Sequence, residues 1–116
     1  MNFTGILTRT SGNVLSGKIR LTVFASHGLA TAVELSSGDI GFAPMGYGHA
    51  LENVGDGPAE LILVFNSGEY QEISLSTVLA TQPAYLLETN FHLPKAVIDK
   101  LPKRLEFITS GRKGRQ

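Results

Sequence analysis

The stretch from Gly38 to Asn53 constrains the fold more than any other part of the chain. Its frame is glycine, five residues, proline, one residue, glycine, two residues, histidine, three residues, asparagine, filled by Gly38, Pro44, Gly46, His49 and Asn53. Gly38-Asp39 breaks the polar pair Ser36-Ser37 and opens a strand expected over Ile40 to Ala43. Pro44 ends that strand, because proline has no N–H to give to a β-ladder. Gly46 and Gly48 are expected to supply the positive φ of a tight reversal. A return strand then runs from His49 to Val54, its alternation placing His49, Leu51 and Asn53 on one face and Ala50, Glu52 and Val54 on the other. A lone histidine is more often a hydrogen-bonded core or rim residue than a ligand. One set just inside a strand, beside a proline–glycine turn, suits an inward-facing position near the mouth of a β-barrel, and the frame favours that reading for His49. Asn53 is expected to be structural, its amide satisfying loop backbone groups.

A chain of 116 residues makes one domain of ordinary size. The formal net charge is zero, which argues against nucleic acid as the main partner. Five of the ten basic residues (Lys103, Arg104, Arg112, Lys113, Arg115) follow Pro102, so the body is mildly acidic and the end reads as a solvated tail. With no cysteine there is no disulfide, thiolate metal site or cysteine nucleophile. No membrane-spanning run and no secretory signal stand out, so the chain as written is expected to be cytoplasmic and to bind neither membrane nor nucleic acid.

Residues 1–12 are rich in Thr, Gly, Asn and Ser and read as weakly structured, 13–70 as the β-barrel core, 71–102 as a helical extension and 103–116 as the basic tail. Val14-Leu15, then Ser16-Gly17, then Lys18 to Ala25 reads as a hairpin, with Ile19, Leu21 and Val23 alternating with polar residues. Further strands are expected over Leu29 to Leu35 and over Ala59 to Phe65. Short strands between glycine turns imply a sandwich or barrel. Three helices follow: one capped by Ser74, one over Pro83 to Thr89 with Thr81 as a candidate cap, and one over Pro94 to Leu101 with Val97, Ile98 and Leu101 as its apolar stripe. His27 reads as an exposed turn residue and His92 as a loop or interface residue. Glu34 and Glu52 read as outward carboxylates.

The frame around His49 resembles the second conserved motif of the cupin family. Gly17-Lys-Ile-Arg-Leu-Thr-Val-Phe-Ala-Ser26, Glu52-Asn-Val-Gly-Asp56 and Glu69-Tyr-Gln-Glu-Ile-Ser-Leu-Ser-Thr-Val-Leu-Ala80 narrow the likeness to the C-terminal cupin of bicupin oxalate decarboxylases. The resemblance spans about Gly17 to Pro102. It implies an all-β jelly-roll barrel (a double-stranded β-helix), here lacking or altered in its first strands, with short C-terminal helices. It also implies manganese, with oxalate cleaved to formate and carbon dioxide, or oxidised. His49 falls on one of the family's four metal ligands. The other three positions fall on Phe3, Gly5 and Thr10, and a carboxylate used as acid or base falls on Leu63. Tyr70 matches a family tyrosine and reads as packing.

Manganese takes about six hard ligands, mostly oxygen and imidazole. A single imidazole does not hold it, so no stably bound metal and no catalytic residue are expected. Three functions compete: a degenerate, non-catalytic cupin; a manganese oxalate decarboxylase or oxidase completed by a partner or a longer chain; and a metal-free cupin binding a small organic acid or sugar. If the first segment fails to pair, an open sheet edge favours a homo-oligomer, through that edge or through the C-terminal helices.

Overall fold

The computed structural model describes residues 10–69 and 73–102, together with the backbone of residues 2–4. The strands are β1 (Asn2–Thr4), β2 (Thr10–Ser16), β3 (Lys18–Phe24), β4 (Ala30–Ser36), β5 (Ile40–Ala43), β6 (Gly48–Asn53) and β7 (Glu60–Phe65). The helices are α1 (Leu75–Thr81), α2 (Ala84–Phe91) and α3 (Lys95–Ile98). The strands form two antiparallel sheets, of order β1-β6-β3-β4 and β5-β2-β7. The basic tail and Tyr70 lie outside the described residues.

The expected hairpin from Val14 to Ala25 does not form. β2 lies in the three-stranded sheet and β3 in the four-stranded one, so the chain crosses between sheets at Gly17. Gly17 has φ +82, and a Cβ there would stand 2.7 Å from Ala59 Cα and 2.8 Å from the Pro58 carbonyl oxygen. The residue is a tight crossing pinned against the start of β7, and alternation on either side cannot distinguish a crossing from a reversal. The true hairpin is β3–β4, joined through the 3-10 turn Ser26–Gly28.

β2 begins at Thr10, earlier than the apolar pattern suggests, and pairs along both edges, Thr10 with Ala43 and with Phe65. Small and polar residues hide it from a hydrophobicity reading. The early segment does pair: β1 lies along β6, with Phe3 opposite Ala50, so the edge expected to be open is covered there. β5 and β6 likewise sit in different sheets. Of the two motif glycines, Gly46 takes the positive φ, +87, in a turn closed by Tyr47 N–H donating to the Pro44 carbonyl, whereas Gly48 is already in β6.

Val14, Ile19, Leu21, Ala43 and Ala50 are buried in the β-core. Ser74 caps α1 as expected, its Oγ accepting from Thr77 N–H at 3.2 Å. Thr81 is no cap: it is the last residue of α1, and its hydroxyl donates back to the Thr77 carbonyl. Pro83 occupies the position before the first turn of α2, with no side-chain capping bond. α3 covers only Lys95–Ile98, and of its expected stripe Ile98 is buried while Val97 is 45% exposed. α2 packs on α3, burying Leu87 and Ile98.

Candidate functional site

The register of the four-stranded sheet places the inward row of β6 beside β3: His49 opposite Val23, Leu51 opposite Leu21, Asn53 opposite Ile19. His49 is 1% exposed. Its Nδ1 lies 3.2 Å from the Tyr47 carbonyl. That oxygen can only accept, so Nδ1 carries the proton and the turn after Pro44 sets the tautomer. Asn53 does what the sequence suggests: its Nδ2 donates to the Gly57 carbonyl, and its Oδ1 accepts from Gly55 N–H.

A small, partly open cavity lies between the sheets. The four-stranded sheet contributes Leu21, Leu35, His49 and Leu51, and the three-stranded sheet Thr10, Gly12, Gly41, Ala43 and Leu63. Its volume is about 20 Å³. A single water needs about 10–15 Å³ in this measure, and ligand pockets run to hundreds of Å³. Leucines do the filling. A Cβ on Gly41 would stand 2.6 Å from Leu35 Cδ1 and 3.1 Å from Leu21 Cδ2, so these side chains lie directly on the glycine backbone of the opposite sheet.

Thr10, His49 and Leu63, the three described residues on which the resemblance places family site residues, all line this one cavity. Gly5 and the side chain of Phe3 lie outside the described residues. The cavity therefore carries an imidazole and a hydroxyl in an otherwise hydrocarbon lining. Among the described residues no group of three or more His, Asp or Glu is placed to hold a metal ion. These donors do not fit manganese, which needs several hard oxygen or nitrogen ligands. His27 and His92 are exposed, each with positive φ, the first beside Ser26 Oγ and the second ending α2. The packing of leucine onto Gly41 has no signal in spacing or composition; it emerges only when the sheets are brought face to face.

The carboxylates lie on the other side of the four-stranded sheet. Arg20 bridges Glu52 at 3.3 Å and Glu34 at 3.1 Å, and Lys18 lies 3.7 Å from Glu34. The hydrogen bond from Arg20, and then the charge of Lys18, hold the Glu34 carboxyl below the ordinary value of 4.5. Glu34 and Glu52 thus point away from His49, as alternation requires.

A two-sheet β-fold of this topology, with the motif histidine turned into the space between the sheets, defines the class: the cupin family matches residues 10–99, and the chain belongs to it. Within that family it is related to the bicupin oxalate decarboxylases. It is 38% identical over 89 residues to oxalate decarboxylase OxdC of Bacillus subtilis (strain 168), covering 77% of this chain and 23% of that protein. It is 34% identical over 94 residues to an oxalate decarboxylase of Arthroderma benhamiae, covering 80% and 22%. A solved structure of Bacillus subtilis oxalate decarboxylase, studied for its Mn(II) centres, superposes with a TM-score of 0.87 at 32% identity, covering 95% of this chain and 29% of that one. The chain spans about a quarter of the length of the curated relatives it matches.

Proposed function

We propose that this chain is a cupin of oxalate-decarboxylase descent that does not turn over oxalate by itself and serves as a structural domain beside a second one. The observation that carries the reading is the shared cavity: His49 stands there with Thr10 and Leu63, a hydroxyl and a hydrocarbon where the resemblance places carboxylates. Walls contributed by both sheets also support a closed jelly-roll barrel. His49 keeps the position of a metal ligand without the company that would let it act as one.

The test is metal analysis and an oxalate assay on the purified chain. No stoichiometric manganese after dialysis and no formate are expected. Manganese that survives dialysis and is lost in His49→Ala would overturn the reading. A second reading, a manganese decarboxylase completed by more polypeptide, is favoured by the short span relative to the relatives. It requires the ligands to come from outside this chain, and an in-frame upstream His-x-His…Glu segment is what it needs. A third, metal-free binding of a sugar or organic acid, is disfavoured at this cavity by its volume of about 20 Å³.

We further infer that the structural role runs through the outer face of the three-stranded sheet, with a second copy of this chain as its occupant. Ile40 (69% exposed), Phe42 (50%), Ile62 (53%) and Val64 (61%) form two rows there, with Asn13 and Ser11 between them. Glu60 is exposed at the end of the β7 row, and the four apolar side chains beyond it are what two copies related by a two-fold axis would bring together. The opposite outer face of the molecule holds the Lys18–Arg20–Glu34–Glu52 ion pairs and suits water.

A further inference from the structure

Thr10 is 5% exposed in the central strand of its sheet, and its Oγ1 has no hydrogen-bond partner among the described residues. A buried hydroxyl left in that state is destabilising, and folded proteins satisfy nearly all such groups with protein or ordered water. Thr10 lines the cavity, whose volume of about 20 Å³ passes the threshold of about 10–15 Å³ for one water. The facing polar wall is the imidazole of His49. The leucines leave no room for a larger guest.

We propose that this cavity is a single-water site, in which one ordered water hydrogen-bonds Thr10 Oγ1 and lies against the His49 ring. The site takes a neutral molecule of water size that both donates and accepts. The inference rests on the same cavity as the non-catalytic reading and deepens it: a hydrated polar pair occupies the space between the sheets.

High-resolution crystallography of the full chain, with anomalous data at the manganese edge, tests the site directly, and two variants test it in solution. A water peak within hydrogen-bond distance of Thr10 Oγ1 is expected in the wild type and in Thr10→Ser. In Thr10→Val, nearly the same shape without the hydroxyl, the peak is lost and the folding equilibrium constant falls roughly threefold to tenfold, the worth of a hydrogen bond. A cavity without density, or a Thr10→Val chain as stable as the wild type or more so, overturns the inference and leaves the functional reading intact, because removing an unsatisfied hydroxyl is neutral or stabilising. An anomalous manganese peak overturns both.

Discussion

Gly41 shows how closely single residues set the interior. A Cβ there would stand 2.6 Å from Leu35 Cδ1 and 3.1 Å from Leu21 Cδ2, so both leucine tips would have to shift within the small cavity that they line. Gly41→Ala is expected to lower stability by about 1–3 kcal/mol, the usual cost of overpacking. Trimming the obstacle in Gly41→Ala/Leu35→Ala should recover part of that loss, so urea denaturation of the two singles and the double will give non-additive changes. His49 and Asn53 were legible in the sequence because the spacing of the motif encodes both the turn and the strand phase. Thr10 and Leu63 were legible only by counting from Gly17 and His49 along a resembling pattern. The contact of Leu35 with Gly41 was not legible at all, since it joins two strands that never pair.

At the scale of elements, alternation marked the strands well and their partners poorly. β2 and β3 read as a hairpin because Ser16-Gly17 looks like a two-residue turn, yet Ser16 is still in β2 and Gly17 alone sends the chain to the other sheet. Register is local and written in alternation; the choice of sheet depends on contacts such as Gly17 against Ala59, far off in sequence. Helix ends were clearer, because caps are local chemistry. Ser74 is 4% exposed and accepts from Thr77 N–H, so Ser74→Ala is expected to cost about 0.5–2 kcal/mol by thermal or urea unfolding. The ion pairs of β3 make a prediction about pH. Glu34 has its folded pKa lowered, so its contribution is fully present above the ordinary value of 4.5 and is lost as pH falls through the lower folded value. Stability measured below about pH 4.5 should therefore fall less steeply in Glu34→Gln than in the wild type, and high salt should narrow the difference, because these side chains are exposed.

The whole molecule has two outer faces of opposite character, one laced with ion pairs and one apolar. If the apolar face of the three-stranded sheet joins two copies, light scattering after size exclusion will give a dimer. Ile62→Lys with Val64→Glu will then give a monomer with unchanged circular dichroism. A wild type that stays monomeric at high concentration would count against this face as the interface between copies. The narrow, leucine-lined interior carries a consequence for any attempt to build a metal site there. A glutamate introduced at position 10 would enter a mostly hydrocarbon cavity whose one basic neighbour in the lining is the His49 imidazole, and with no metal ion there its carboxylate would give up much of its hydration. Gain of a carboxylate and gain of an ion would each be unfavourable until the other had happened, so the route back to an active centre has no productive first step.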